Sequence, residues 1–278
     1  MITVNTIDQL KRYRMRAPSA TWGFVPTMGA LHKGHLSLVA RSSKENDKTA
    51  VSIFVNPTQF NNPEDLKKYP RTLKRDLDIL RKAGVDLVFA PDAGEVYPEG
   101  FQSYIDVTEV TKSLEGAARP GHLRGMATVV TKLFNIVEPT RAYFGQKDAQ
   151  QVVVVKQFVR DLNIPVTIVV CPTVREKDGL AMSSRNVRLN PRERRAAAVL
   201  FQSLSETEKA WKAGIRDAEK LRNNIISVLN SEPLARMEYV SVADPVSLLE
   251  LNGKIKQALV SIAVFIGDVR LIDNIVLK

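Results

Sequence analysis

The sequence predicts an α/β protein: a doubly wound parallel sheet followed by a smaller C-terminal α+β domain. Three observations carry this. Through residue 172, short β-rich runs alternate with helical ones of roughly 10 to 15 residues, the texture of consecutive βαβ units. Those β-rich runs are continuously rather than alternately hydrophobic, as strands covered on both faces are. Past "SSRN" (Ser183–Asn186) the texture changes to charged amphipathic helices and then three apolar runs.

Taken in order, Trp22–Val25 reads as a strand and Leu36–Lys44 as the helix after it, with a loop, "PTMGALHKGH" (Pro26–His35), between them. Thr49–Val55 is a second strand, its β-branched residues fitting a pleated surface. Thr72–Ala83 is an amphipathic helix with Leu73, Leu77 and Leu80 on one stripe and Gly84 at its C-terminal stop. Val85–Pro91 is a third strand, Met126–Val137 an apolar helix, and "RAYFG" (Arg141–Gly145) a fourth strand. Asp148–Leu162 is the next helix, and Val166–Pro172 the fifth strand. Beyond the change in texture, Pro191–Ala213 and Arg216–Leu229 are helices, the first with proline where helix starts favour it. "MEYVSVAD", "ALVSIAVFI" and "VRLIDNIVL" are the strands of the smaller unit. There is no fixed-period repeat and no low-complexity segment.

The bulk numbers fit this architecture. A chain of 278 residues can bury a sizeable core, and 44% hydrophobic with 25% charged residues is an ordinary globular composition. No stretch approaches the roughly 18 consecutive apolar residues of a membrane span. The first residues, "MITVNTIDQLKRYR", lack the apolar segment of a secretory signal. A single cysteine, Cys171, excludes an internal disulfide framework, fits a reducing cytoplasm, and reads as a buried strand residue. The formal charge of +10 suits an anionic small substrate or a nucleic acid. The basic residues are spread along the chain, and "DLKKYPRTLKRDLDILRKAG" mixes both signs as a solvated helix face does. Aromatic residues are only 6%, with no basic–aromatic interleaving of the kind that stacks bases.

Two of the three histidines, His32 and His35, stand three residues apart in the Pro26–His35 loop. Three bindings suit such a pair. Zinc needs a third ligand, and only Cys171 and His122 remain, neither near in sequence. A Walker-type loop matches Gly29 and Gly34, but His35 and Leu36 stand where lysine and a hydroxyl belong. The third takes the geometry at face value: a strand ends, glycines turn the chain, and a helix starts at about His35. Helix N-termini bind anions, and the carboxyl edge of a parallel sheet is where such folds bind ligands. Gly34 lets a phosphate approach the backbone, and the imidazoles can donate to phosphoryl oxygens. Phosphate is favoured, with two plain surface histidines as the bland alternative.

Three further segments share that rim. "FVNPTQF" (Phe54–Phe60) closes the second strand and leaves Gln59 at its end, as a substrate-binding amide or a turn cap. "YFGQKDAQQ" (Tyr143–Gln151) repeats the strand–glycine–helix layout, with Gly145 for close approach, Lys147 as a mobile cation, and Asp148 as a helix cap. "GLAMSSRN" (Gly179–Asn186) offers hydroxyls and a forked cation to polyphosphate, or an ordinary N-cap.

"HKGH" resembles the H-x-G-H signature of the nucleotidyltransferase superfamily, and "PTMGALHKGH" is similar to the longer motif of the pantothenate synthetase family. The three other segments agree with that family in order and spacing, over roughly residues 22–190. The resemblance implies a Rossmann-like nucleotide-binding domain over residues 1–178, binding ATP and pantoate, and a smaller domain over 179–278 that closes over the site. It implies ATP-dependent condensation of (R)-pantoate with β-alanine, giving pantothenate, AMP and pyrophosphate through a pantoyl adenylate.

By the same resemblance, His35, His32 and Lys147 are catalytic, with His35 the proton donor. Met28, Gly29, His32, Gly34, His35, Gly145, Lys147, Asp148, Val174, Met182, Ser183, Ser184 and Arg185 bind ATP, Val174 beside adenine and Met182–Arg185 over the triphosphate. Gln59 and Gln151 bind the acid substrate. Magnesium accompanies ATP with no resident metal site, although Asp76 is a candidate ligand. Arg119, His122 and Arg124, in "ARPGHLRGM", are candidate lid or substrate residues, and Gln146, often glutamate in the family, is given no role. A cytoplasmic homodimer with small-molecule partners, and neither nucleic acid nor membrane, completes the expectation. The alternatives are another H-x-G-H adenylyltransferase acting on a phosphate ester, and a nucleic-acid-binding protein without catalysis.

Overall fold

The computed structural model describes residues 1–278. Its first unit begins with β1 (Ile2–Val4) and α1 (Ile7–Arg14), the helix closed at its start by a reciprocal pair of side-chain bonds between Thr6 and Gln9. Then follow β2 (Trp22–Thr27), α2 (Lys33–Glu45), β3 (Lys48–Ile53), a 3-10 turn (Pro57–Gln59), α3 (Pro63–Lys68) and α4 (Leu73–Lys82). After β4 (Leu87–Phe89) come the short α5 (Ala93–Val96) and α6 (Glu115–Ala118), then α7 (His122–Val137). β5 (Arg141–Gly145), α8 (Ala149–Asp161) and β6 (Thr167–Cys171) complete the unit.

These six strands form one parallel sheet in the order β1-β4-β3-β2-β5-β6. The chain lays strands to one side of β2 through β4 and then to the other from β5. The order therefore reverses between β2 and β5, and the crevice outside their carboxyl ends is where a doubly wound sheet binds its ligand. Phe24, Phe134, Phe144 and Phe158 pack on one face of the sheet, while Val25, Val51, Leu80 and Val88 pack on the other. Val25, Val51 and Val88 are fully buried, as the continuous hydrophobicity of their runs predicts. β6 departs from that pattern: it is an edge strand, and Thr167 is exposed.

The second unit holds α9 (Pro191–Ala196), α10 (Ala198–Lys212) and α11 (Ala218–Asn230) against an antiparallel sheet of β7 (Ala235–Ala243), β8 (Ala258–Ile266) and β9 (Val269–Leu277). Leu200, Leu204, Leu221 and Ile225 of the helices pack with Val260, Ile262 and Val264 of β8 as a separate apolar cluster.

Several expectations shift by a few residues, and each shift has a cause. The helix expected over Pro191–Ala213 is two helices meeting at Ala197. α7 starts at His122 rather than Met126, because Gly121 takes φ 83° and turns the chain into it. On α4, Leu73 is 44% exposed, and the buried positions are Asp76 and Leu80. β1 is too short to show a pattern in sequence, and it gains its place by pairing with β4.

Candidate active site

Four neighbouring strands deliver their C-terminal ends to one cavity of about 260 Å³. β2 brings Met28, His32, Gly34 and His35, and β3 brings Gln59. β5 brings Gly145, Lys147, Asp148 and Gln151, and β6 leads to Val174, Met182, Ser183, Ser184 and Arg185; all of these line the wall. Because these strands are adjacent in the sheet, segments more than a hundred residues apart in sequence meet at the strand-order reversal.

The histidines cap the helix they start. His32 is the N-cap of α2, and its Nδ1 accepts the Gly34 N–H at 3.1 Å. His35 Nδ1 in turn accepts the His32 N–H at 3.3 Å. An imidazole that accepts at Nδ1 is neutral and carries its proton on Nε2, so both rings keep a donor for an anion in the cavity. Burial, then the neighbouring Lys147, lowers the His32 pKa to about 4. Burial, then His32 beside it, lowers that of His35 to about 3. His35 is therefore neutral at neutral pH, with its Nε2–H as the hydrogen-bond donor it offers the cavity. Gly34 is required by contact, since a Cβ there would stand 2.8 Å and 2.9 Å from two atoms of the His32 ring.

Of the residues expected to bind ATP, Gly29 alone is absent from the wall. Its φ of 81° makes the turn that brings the histidines in, with Ala30 also at positive φ, 51°. Asp76 holds this turn from beneath. Fully buried, it accepts the N–H of Ala30 at 2.9 Å and of Leu31 at 3.0 Å, and the Thr72 hydroxyl at 3.0 Å. Both carboxylate oxygens are committed and neither reaches the cavity, which overturns Asp76 as a magnesium ligand.

Around the histidines, Lys147 Nζ pairs with Asp148 at 3.2 Å, and Asp148 makes no side-chain cap to α8. A side chain on Gly145 would meet no atom within 4 Å, which leaves its backbone open to a ligand. Ser183 accepts the Arg185 N–H at 3.3 Å. Arg185 and Arg188 both pair with Asp65 of α3, at 3.0 Å and 3.1 Å. The Tyr69 hydroxyl lies 3.4 Å from that of Ser184, so α3 and the residues after it form a wall facing the serine loop.

Gln59 is 8% exposed, with its Oε1 accepting from Asn56 and its Nε2 directed to Met28. Gln151, in the first turn of α8, also lines the wall. His122 and Arg119 also line it, whereas Arg124 does not and lies over the Tyr104 ring at 4.3 Å. His122 faces the Gln59 carbonyl through Nδ1 at 2.8 Å and Arg119 through Nε2 at 3.2 Å. Donating from Nδ1 and accepting at Nε2 satisfies both, and burial followed by Arg119 lowers its pKa to about 4.

The second sheet supplies residues the sequence reading assigned no role. Asn274 on β9 donates to the carbonyls of Gln146 and Lys147 at 2.9 Å and 2.8 Å, and accepts from the Gln146 amide at 3.0 Å. Gln146 is thus a tether rather than a ligand-facing residue. Asp273, 2% exposed, takes two bonds from Arg175 at 2.6 Å and 3.1 Å, and Arg175 also holds the Gly179 carbonyl. Glu115 accepts from Arg270 and from the Tyr239 hydroxyl. Burial pushes its carboxyl up, but these bonds outweigh that and hold it at about 2. The signal that could have found Asp273 and Asn274 is the polar pair interrupting the otherwise apolar "VRLIDNIVL".

No group of three or more His, Cys, Asp or Glu side chains is placed to hold a metal ion. The Asp148 carboxylate, 46% exposed at the cavity, fits a hydrated ion held mainly by phosphate oxygens, as magnesium usually is. No helix is long and apolar enough to cross a membrane.

One cavity thus gathers histidine, lysine, arginine and serine donors beside two glutamine amides. A family model described as pantoate–β-alanine ligase matches residues 2–276. A pantothenate synthetase from Roseiflexus sp. (strain RS-1) is 58% identical over 278 residues, 100% of each chain. The crystal structure of pantothenate synthetase from Thermus thermophilus matches with a TM-score of 0.94 at 46% identity, over 99% of both chains. That of pantoate–β-alanine ligase from Francisella tularensis, complexed with beta-gamma ATP and β-alanine, matches with a TM-score of 0.83 at 40% identity, over 99% of this chain and 97% of its own. The folds coincide over almost every residue, and this chain belongs to the pantoate–β-alanine ligase family.

Proposed function

We propose that the chain joins (R)-pantoate to β-alanine in two half-reactions through a pantoyl adenylate. Its family makes it a ligase that forms an amide bond with ATP. The observation that carries the two-step reading is the convergence on one cavity of two neutral Nε2–H donors, Lys147 and the Ser183–Arg185 loop together with the amides of Gln59 and Gln151.

A carboxylate does not acylate an amine at neutral pH, because its oxygen leaves poorly. In the first half-reaction a pantoate carboxylate oxygen forms a bond to the α-phosphorus of ATP, and the bond to the bridging oxygen breaks, releasing pyrophosphate. In the second, the free amine of β-alanine forms the amide bond to the acyl carbon, the acyl–oxygen bond breaks, AMP departs, and the nitrogen's proton passes to solvent. Holding carboxylate and α-phosphate in line supplies about 7 to 11 kcal/mol of such a barrier. His32 and His35 donate hydrogen bonds to the phosphoryl oxygens as their charge shifts. Lys147, Ser183, Ser184 and Arg185 bind the departing pyrophosphate, with Arg185 exchanging its Asp65 partner for phosphate. Gly145 admits the nucleotide backbone-close, Val174 flanks the base, and Gln59 and Gln151 hold the acid. When bound with ATP, magnesium would neutralise phosphate charge, with Asp148 as its protein contact.

The same proposal divides the chain at 178/179 into a nucleotide-binding domain and a smaller domain that closes on it, keeping water from the adenylate. The buried bonds from Asn274 and Asp273 to the loops of the first unit support that division of labour. A cytoplasmic homodimer belongs to it by family resemblance.

Exchange of radiolabelled pyrophosphate into ATP, with magnesium and pantoate but no β-alanine, tests it. Exchange that requires pantoate is the expected result. Exchange that needs a phosphate ester instead would leave an H-x-G-H adenylyltransferase with a different substrate.

A further inference from the structure

The groups behind Gln59 leave its amide a single orientation. Asn56, 1% exposed, follows β3 and caps the turn Pro57–Gln59. Its Nδ2 donates to Gln59 Oε1 at 3.0 Å and to the Gly125 carbonyl at 3.1 Å. An amide that donates on that side has its oxygen on the other, and there the Tyr97 hydroxyl donates to Asn56 Oδ1 at 2.8 Å and the Thr58 hydroxyl at 2.9 Å. With Oε1 taken by Asn56, Gln59 turns its Nε2 to Met28 Sδ, at 3.1 Å, on the cavity wall.

Tyr97 itself is not on that wall. Its ring packs against Phe54 and Phe101, with centroids 6.2 Å and 5.0 Å away, so the hydroxyl has one fixed direction. Burial raises the hydroxyl pKa, which keeps its proton in place at neutral pH.

We propose that Tyr97 is a positioning residue for the acid substrate: through Asn56, its hydroxyl fixes Gln59 so that the amide offers N–H rather than carbonyl oxygen to pantoate. This rests on the reading that Gln59 binds the acid. A glutamine amide has nearly the same shape when turned over, so packing alone cannot choose between its two faces. Turned over, it would set an oxygen against a substrate carboxylate or hydroxyl oxygen and an NH2 against the Asn56 NH2. Asn56 prevents this while its own amide is held, by the Gly125 carbonyl at its Nδ2 and by donors at its Oδ1, of which Tyr97 gives the shortest bond.

Steady-state kinetics of Tyr97→Phe, Gln59→Ala and the double variant test this. Tyr97→Phe raises KM for pantoate about 5- to 10-fold, the worth of one buried hydrogen bond, and leaves KM for ATP and kcat unchanged. A merely structural loss would lower kcat or raise both KM values. Gln59→Ala raises KM for pantoate by itself, and in that background the Tyr97→Phe increment disappears. If Gln59→Ala leaves pantoate KM unchanged, the reading of Gln59 fails. If Gln59→Ala raises it but Tyr97→Phe does not, or the increment survives in the double variant, the positioning role of Tyr97 is overturned. Thr58→Val removes the other hydroxyl on the same oxygen and carries the same pantoate-selective signature should Tyr97→Phe fail to fold.

Discussion

His32 and His35 stand with ring centroids 4.1 Å apart, and the backbone N–H of His32 donates to the ring of His35. The pair therefore does two jobs: it starts α2, and it holds two Nε2–H donors in the cavity. Replacing His35 with alanine removes one well-placed donor, an effect typically worth about 100- to 1000-fold in rate. We expect His35→Ala to lose that much pantoate-dependent pyrophosphate exchange while its far-ultraviolet circular dichroism stays that of the parent. Near-parental exchange in a folded variant would remove His35 from the mechanism.

The same geometry sets a dependence of stability on pH. A proton on either Nδ1 would face a backbone N–H, so protonation opposes the cap as well as burial. In the folded chain His32, His35 and His122 titrate at about 4, 3 and 4, against 6.5 for a free histidine. Below 6.5 the unfolded chain binds more protons than the folded one, so this stability is present above 6.5 and is lost as pH falls toward 3. Urea midpoints at pH 7.5, 5.5 and 4.5 should fall for the parent, and fall less for a His32→Asn/His35→Gln variant. Parallel declines would show that the carboxylates alone carry the acid sensitivity.

Asp76 was the polar position on a helix face that apolar spacing marked as core. Asp76→Ala leaves the N–H groups of Ala30 and Leu31 without their acceptor, at a cost of about 2 to 4 kcal/mol for the two. A matching drop in unfolding free energy is expected. In the milder Asp76→Asn, the magnesium concentration for half-maximal rate should equal that of the parent. A raised requirement for magnesium would restore Asp76 as a ligand.

Much of this was legible in the sequence, and the remainder was hidden for identifiable reasons. Continuous apolar runs gave β2, β3 and β5 because strands covered on both faces have no polar side to show. The glycine-flanked histidines, the Asn-Pro turn and the serine loop were legible because each sits where a strand ends, and a parallel sheet brings those ends together. Leu73 misled because apolar spacing marks a stripe but does not say how far along the helix the neighbouring layer extends. Asp76 misled because its partners are loop N–H groups 45 and 46 residues away, which leave no trace in its own helix. His122 meets Gln59 across 63 residues, and Asn274 meets Gln146 across 128, separations over which local patterns carry no information.

Asn274 supplies the last test, because it links the two sheets at the nucleotide site. It is 4% exposed, and its Nδ2 holds the Gln146 and Lys147 carbonyls, so the loop that presents Lys147 is anchored from β9 as well as by its own strand. Asn274→Ala removes both donors at once and lets Lys147 wander from the position where phosphate needs it. Losing about 1 to 2 kcal/mol of positioning raises KM for ATP about 5- to 30-fold. On the proposed reading pantoate binds through Gln59 and Gln151, which Asn274 does not touch, so its KM should not change. Asn274→Asp keeps the shape but replaces the donor NH2 with an acceptor facing two carbonyls, and it should be worse than alanine. Equal rises in both KM values would mean that the second sheet supports the whole cavity and not the Lys147 loop in particular.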